Sequence, residues 1–206
     1  MATATQPGRQ TEPSPFNLPN QLTGARFVLA IVLFGLISAE SWLWCLIVFA
    51  VAAFTDWLDG YLARKLALGS TLGRNLDPLV DKVLMCGAFI FLLPLGGRAT
   101  DDSGPWLLPW MVTVVVAREL IITGLRSFLE NRHAVFGADW LGKVKMVLQC
   151  AALVAIFVAL GAPSWTGSRV PFFEYCRDGL IYAMLAATAL SGAQYLWRAA
   201  LLLKEE

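Results

Sequence analysis

The sequence predicts an all-α polytopic membrane protein, and its composition, its apolar runs and the placement of its charges all indicate this class. Of the 206 residues, 57% are hydrophobic and only 15% are charged, whereas soluble domains carry about 25% charged residues. The net charge of +1 creates no field that would attract a polyanion, so we expect no nucleic-acid partner. We expect one membrane-embedded domain over residues 17–206, in contact with the lipid bilayer, and a flexible cytoplasmic tail over residues 1–16.

Six charge-free apolar runs predict six transmembrane helices. They are Phe27–Ala39, Ser41–Thr55, Val83–Gly97, Ser103–Ala117, Met146–Ser168 and Gly179–Trp197. A spanning helix needs about 20 residues, and four of these runs have only 13 to 15. Those four helices must continue into charged sequence, and charges at that depth are tolerated only toward a bundle interior or a wet cavity. Ahead of the first run, Pro19 to Thr23 predicts a juxtamembrane helix that begins at the membrane surface.

The distribution of basic residues predicts the orientation. Six passes place both termini on one side of the membrane. Twelve of the 16 Lys and Arg residues fall at one face, three fall at the other, and Arg118 lies within a pass. Because basic residues are retained on the cytoplasmic side, we expect both termini, segment 56–82 and connection 126–145 to be cytoplasmic. The lack of an apolar N-terminal signal or a transit peptide favours a bacterial inner (plasma) membrane.

Two pairs of aspartates lie at the cytoplasmic ends of the second and third predicted helices. Asp56 and Asp59 are three residues apart, and Asp77 and Asp81 are four apart, so each pair shares one helix face. The short connection between these helices predicts antiparallel neighbours whose four carboxylates converge. Oxygen ligands favour Mg²⁺ or Mn²⁺. Four carboxylates suffice for two ions, an arrangement that suits displacement at phosphorus.

Several residues near these carboxylates have two interpretations each. Gly60 and Ala63 either leave room for a flat ligand group or permit close helix packing. Arg64 either binds phosphate oxygens or extends to the interface as an ordinary anchoring arginine. Asn20 and Thr23 either close the site near a diphosphate or only begin a helix. The sequence leaves these alternatives open.

The carboxylates belong to a longer pattern, Asp56-x2-Asp59-Gly60-x2-Ala63-Arg64-x8-Gly73-x3-Asp77-x3-Asp81. This pattern resembles, at every fixed position, the signature of the CDP-alcohol phosphatidyltransferases. The resemblance implies six transmembrane helices, a homodimer and a divalent-metal site that is open to the cytosol. It also implies a substrate that carries a cytidine diphosphate group.

The resemblance further implies a role for each position. The metal ligands would be Asp56, Asp59, Asp77 and Asp81. Asp81 would also be the general base for the incoming hydroxyl, although a rival account leaves most of that activation to the metal. CDP-diacylglycerol would be bound by Asp59, Gly60, Ala63, Arg64 and Gly73, with Asn20 and Thr23 as further candidates.

A second group of charged residues lies in and after the fourth predicted helix. Arg118 lies inside an apolar pass, where an arginine is a candidate functional residue. The alternative is a buried ion pair with Glu119, which the angle of about 100° between adjacent helix residues disfavours. Lys143 and Lys145 either anchor the next helix at the cytoplasmic face or, with Arg118, bind a phosphate group.

Segments 17–26, 118–126 and 142–149 resemble one branch of the family, the phosphatidylglycerophosphate synthases. This resemblance implies that CDP-diacylglycerol and sn-glycerol 3-phosphate react to give phosphatidylglycerophosphate and CMP. One alternative is the same chemistry with another acceptor, inositol phosphate or phosphatidylglycerol. Another is an ion or proton transporter. The enzyme is favoured because both carboxylate pairs lie near one end of the helices and do not follow a path across the bilayer.

Overall fold

The computed structural model describes four stretches of the chain. The backbone is described for residues 18–66, 71–97, 105–130 and 140–202. Side chains are described for residues 24–56, 79–97, 105–126 and 140–201. The predicted tail over residues 1–16 lies outside these ranges.

The described chain forms six α-helices and no strand, as predicted for an all-α protein. They are α1 (Leu18–Ser38), α2 (Trp42–Leu66), α3 (Thr71–Gly96), α4 (Pro109–Glu130), α5 (Trp140–Thr166) and α6 (Pro171–Leu202). The predicted continuation of four helices into charged sequence is confirmed. For example, α2 passes Asp56 to end at Leu66, and α4 passes Arg118 to end at Glu130.

Three segments of the described residues are long and apolar enough to cross a membrane. They are Leu79–Gly96, Trp140–Thr166 and Pro171–Leu201. The apolar parts of α1 and α2 are shorter, so a count of six transmembrane helices stays a prediction. A separate juxtamembrane helix was a wrong expectation for residues 18–38, because α1 is continuous from Leu18. Pro19 lies in its first turn, where a missing N–H breaks no helical hydrogen bond.

A tight turn joins α1 to α2. The Glu40 N–H donates to the Ile37 carbonyl at 3.0 Å, and the Ser41 N–H donates to the Leu36 carbonyl at 3.0 Å. With Glu40 in the left-handed region at φ 53°, this is a Schellman helix end. Residues about equally far from Glu40 along the two helices therefore lie side by side, which brings Arg26 near Asp56.

Neighbouring helices close a ring in the order α1–α3–α4–α6–α5–α2, and α3 also touches α5 across it. The sequence predicted α2 and α3 as antiparallel neighbours around residues 56–81, and this stays a prediction because most of those side chains lie outside the described residues. In the described part of the chain, α1 contacts both helices.

One close approach defines the contact between α1 and α3. The Phe34 ring lies over Gly87, where an added Cβ would come within 2.2 Å of Phe34 Cζ. The same ring stacks on Phe91 with centroids 4.8 Å apart and planes at 7°. Leu33 and Ala88 are fully buried nearby in the core. This packing sets the height of Asp81 on α3 relative to Arg26 on α1.

Candidate active site

The first polar centre is built on a contact between α1 and α2. Arg26 Nη1 lies 3.0 Å from Asp56 Oδ1, with side chains that are 2% and 36% exposed. A nearly buried guanidinium needs a countercharge, and Asp56 supplies one while it keeps access to solvent. The predicted metal ligand Asp56 is therefore oriented by an arginine that the sequence analysis did not place in the site.

Asp81 of α3 joins this centre, although α3 makes no contact with α2 within the described residues. It interacts electrostatically with Asp56 and Arg26, and also with Lys82 and Lys145. Asp56 and Asp81, one residue from each predicted pair, thus influence each other electrostatically.

The other members of the predicted carboxylate site can be placed only on their helices. Asp59 lies on α2 with Asp56, and Asp77 lies on α3 with Asp81, so each predicted pair shares one helix. The remaining side chains of the predicted nucleotide and metal sites lie outside the described residues: Asn20, Thr23, Asp59, Gly60, Ala63, Arg64, Gly73 and Asp77. Convergence of all four carboxylates stays a prediction.

The donor chemistry of this centre is consistent with a hard divalent cation. Asp56 and Asp81 offer carboxylate oxygens, which Mg²⁺ and Mn²⁺ prefer. Within the described side chains no group of three metal-ligating residues occurs. Only two of the four predicted ligands, Asp56 and Asp81, have described side chains, and the chemistry of both suits such a cation.

A second polar centre, which we call the cation cluster, consists of Lys82, Arg118 and Lys145 around Glu119. Lys82 Nζ lies 3.3 Å from Glu119 Oε2, and Arg118 Nη1 lies 3.2 Å from Glu119 Oε1. Lys145 Nζ also pairs with Glu119 Oε1. The three cations come from α3, α4 and α5, so the cluster ties three helices together.

The Arg118–Glu119 ion pair, which the sequence analysis disfavoured, is present. The angle between adjacent helix positions separates their Cβ atoms, but both side chains are long enough to turn toward each other. The Glu119 carboxylate pairs with Lys82 and Lys145 as well as with Arg118. The pair therefore leaves the predicted role of Arg118 in binding phosphate open.

Two of the predicted phosphate-binding residues lie in the cluster and one does not. Arg118 and Lys145 are both members, and Lys145 is 5% exposed. Lys143 is exposed at the start of α5, and none of the described ion pairs includes it. The position of Lys143 fits the alternative of a cytoplasmic anchor.

Lys82 is a member that sequence reasoning missed. It was counted only among the twelve basic residues at the cytoplasmic face. Its ammonium donates to the Glu119 carbonyl at 3.2 Å and to the Thr123 hydroxyl. Glu119 and Thr123 are four apart on α4 and share a face, a spacing that could have indicated a polar partner for a basic residue.

Helix α6 contributes a residue where the sequence suggested only a hydrophobic pass. Arg118 Nη2 donates to Ser191 Oγ at 3.0 Å, and Ser191 Oγ donates to the Thr188 carbonyl at 3.2 Å. Gly192 follows, and a Cβ there would lie 3.3 Å from Arg118 Cγ. The fully buried Ser191 and the small Gly192 therefore hold the arginine against α6.

The two centres are adjacent. Lys145 of the cation cluster interacts electrostatically with Asp81 of the carboxylate centre, and Lys82 follows Asp81 in sequence. Cys86 and Cys150 interact with charges of both centres. One end of the helix ring thus holds carboxylates on one side and a cluster with three positive charges and one negative charge on the other.

The sequence profile of the CDP-alcohol phosphatidyltransferases matches residues 16–201 of this chain. The chain belongs to this family. As a phosphatidyltransferase it is an enzyme, and the family is generally dependent on divalent metal. Membership agrees with the signature that begins at Asp56 and favours the predicted transferase over an ion or proton transporter.

Several similar proteins carry the name CDP-diacylglycerol–glycerol-3-phosphate 3-phosphatidyltransferase. The one from Bacillus subtilis strain 168 is 38% identical over 159 residues, which cover 69% of this phosphatidyltransferase and 77% of the relative. Those from Escherichia coli K12 and Salmonella typhimurium LT2 are each 32% identical over 187 residues, covering 88% of this chain and 93% of the relative.

Proposed function

We propose that this phosphatidyltransferase transfers the phosphatidyl group of CDP-diacylglycerol to sn-glycerol 3-phosphate, giving phosphatidylglycerophosphate and CMP in phosphatidylglycerol and cardiolipin biosynthesis. The names of its relatives support this acceptor. The observation that carries the proposal is the cation cluster beside the carboxylate centre. A lipid that carries a diphosphate and an acceptor that carries a phosphate need two adjacent polar regions of this kind.

The acceptor phosphate is assigned to the cation cluster. Arg118 offers a planar guanidinium that can form paired hydrogen bonds with phosphate oxygens. Lys145 and Lys82 add two ammonium groups. One helical turn beyond Lys145, Gln149 is 3% exposed, and its Nε2 has no hydrogen-bond partner among the described side chains. A buried free donor is costly, and a bound polar ligand would satisfy it.

The reaction is a displacement at the β-phosphorus of CDP-diacylglycerol. The 1-hydroxyl oxygen of glycerol phosphate bonds to that phosphorus, and the bond from phosphorus to the oxygen of CMP breaks. Asp81 accepts the hydroxyl proton as general base. Its electrostatic interaction with both Asp56 and Lys145 supports this role, because Asp56 belongs to the carboxylate centre and Lys145 to the cation cluster.

Asp56, Asp59, Asp77 and Asp81 would hold two divalent ions, Mg²⁺ or Mn²⁺. When bound, such ions supply positive charge that stabilises the diphosphate and the charge that develops on it. Arg26 keeps the Asp56 carboxylate oriented at 3.0 Å, so at least one ligand is preorganised. CDP-diacylglycerol is assigned to Asp59, Gly60, Ala63, Arg64 and Gly73, with Asn20 and Thr23.

We further propose a six-pass homodimer of the bacterial inner membrane, with both termini and the active site facing the cytoplasm. The excess of basic residues at one face and the water-soluble acceptor support the orientation, and the resemblance to the family signature supports the six passes and the homodimer. Both polar centres lie at the end of the helices where that excess occurs.

A comparison of three acceptors in separate assays tests the proposal. Purified protein in detergent micelles receives CDP-diacylglycerol, Mg²⁺ and one of three acceptors, namely glycerol 3-phosphate, inositol 1-phosphate or phosphatidylglycerol. We expect CMP release with glycerol 3-phosphate alone. Release with a different acceptor would overturn the assignment within the family, and no release with any of them would overturn the proposed reaction.

A further inference from the structure

Glu119 is the only anion among the described side chains that the cation cluster contacts directly, and it uses both carboxylate oxygens. Oε1 forms ion pairs with Arg118 and Lys145, and Oε2 forms one with Lys82. Its own backbone carbonyl also accepts from Lys82 at 3.2 Å. A residue that contacts every cation of a cluster determines the spacing between them.

We propose that Glu119 is a positioning residue for the acceptor phosphate: it holds three cations from three helices in place before the phosphate arrives. This inference rests on the proposed function. Glu119 itself touches no reacting atom, and it acts through Lys82, Arg118 and Lys145.

The need for such a residue follows from burial. Glu119 and Lys145 have side chains that are 8% and 6% exposed, and Arg118 is 13% exposed. Three positive charges at this depth would repel one another, and each would pay a desolvation cost without a countercharge. Glu119 offsets that repulsion before the phosphate binds, so the three side chains can lie close together.

The charge that remains fits a phosphomonoester. Three cations and one carboxylate leave a net charge of +2 in the cluster. A phosphomonoester carries close to two negative charges at neutral pH, so the dianion neutralises the cluster. A neutral alcohol would leave the site with its full excess charge, which gives a physical reason for a phosphorylated acceptor.

Two neighbours support the geometry that Glu119 imposes. The Thr123 hydroxyl, one turn along α4, accepts from Lys82 and donates to the Glu119 carbonyl at 2.6 Å. Ser191 of α6 accepts from the second terminal nitrogen of Arg118 at 3.0 Å. Lys82 and Arg118 thus each contact a second residue besides Glu119, and Lys145 is held by its ion pair with Glu119 and by burial.

Two substitutions separate a charge-positioning role from a packing role. Glu119→Gln keeps the shape and removes the charge, whereas Glu119→Asp keeps the charge and shortens the side chain by one methylene. Steady-state kinetics of the full-length variants in micelles would give kcat and the KM of each substrate. Glu174→Gln, in the first turn of α6 and far along the chain from the cluster, is the matched control.

We expect Glu119→Gln to raise the KM for glycerol 3-phosphate by about tenfold. The kcat at saturating acceptor and the KM for CDP-diacylglycerol should change by less than about threefold. Glu119→Asp should fall between the wild type and the Gln variant, and Glu174→Gln should match the wild type. If Asp is more harmful than Gln, or if both substrates lose affinity equally, the role is one of packing and the proposal is wrong.

Failure of this inference can be told from failure of the proposed function. Arg118→Ala could raise the KM for glycerol 3-phosphate while Glu119→Gln leaves it unchanged. That result would support the phosphate site and contradict the positioning role of Glu119. If neither changes it, the acceptor assignment itself is wrong. Should the Gln variant fail to fold, Glu119→Asp decides alone, because positioning predicts a raised acceptor KM with kcat retained.

Discussion

Arg118 of α4 donates a hydrogen bond of 3.0 Å to the hydroxyl of Ser191 on α6. The last helix of the chain therefore takes part in the cation cluster. Ser191 is fully buried, so water cannot replace its hydroxyl at the guanidinium without a change in packing.

Ser191→Ala should raise the KM for glycerol 3-phosphate by about fivefold, because a hydrogen bond to a charged group is lost. The KM for CDP-diacylglycerol should stay within error. Ser38→Ala is the control, since that exposed hydroxyl bonds only to the Phe34 carbonyl of its own helix among the described contacts. An unchanged acceptor KM in Ser191→Ala would show that the guanidinium is held without α6.

Arg118→Ala should raise the glycerol 3-phosphate requirement more than the CDP-diacylglycerol requirement. The expected increase in KM for the acceptor is tenfold or more, roughly the loss of one charge-assisted interaction. Initial rates at varied acceptor and fixed CDP-diacylglycerol would measure it. An unaltered KM for glycerol 3-phosphate would remove Arg118 from the acceptor site.

Arg26→Met should lower the stability of the folded protein by about 2 kcal/mol, because it breaks an ion pair with a nearly buried arginine. The loss stays below that of a fully buried pair, since Asp56 can be rehydrated. For a chain of this size the unfolding midpoint should fall by about 5 °C. Thermal unfolding in micelles would measure it, with Lys143→Met, at an exposed position outside the described ion pairs, as control. Equal midpoints for the two variants would contradict the structural role of the Arg26–Asp56 pair.

Gly87→Ala should destabilise the contact between α1 and α3 by about 1–3 kcal/mol, the usual cost of overpacking. The new methyl group would lie 2.2 Å from Phe34 Cζ, so the aromatic ring or the helix must move. Gly179→Ala is the control, because an added Cβ there meets nothing within 4 Å and alanine favours the helix. A Gly87 variant that unfolds at the wild-type temperature would show that Phe34 rotates away freely.

Asp81→Asn should reduce turnover about a hundredfold if Asp81 is the general base. Binding of Mn²⁺, followed by electron paramagnetic resonance, would show whether the variant still holds metal. Near-normal turnover with metal bound would remove Asp81 from the base role and leave activation of the hydroxyl to the ions. Loss of both activity and metal would assign Asp81 to metal binding.

The two centres differ in how far local spacing could predict them. Asp56 and Asp81 were predicted because each belongs to a pair at helical spacing, a pattern that depends only on neighbours in sequence. Lys82 and Ser191 were not predicted. Lys82 and Glu119 are 37 residues apart and Arg118 and Ser191 are 73 apart, and periodicity within one helix carries no information about contacts at such separations.

The helical class, the continuation of short apolar runs into charged segments and the placement of the aspartate pairs on helices could all be predicted from composition and from the periodicity of single helices. The family signature could be recognised from the fixed residues between Asp56 and Asp81. Only the tertiary structure decided that α1 contacts both α2 and α3, that Arg26 pairs with Asp56, and that Glu119 gathers cations from three helices. Those contacts depend on which side chains fit against one another across helices, as Phe34 fits against Gly87, and close packing of that kind is settled by the whole bundle at once.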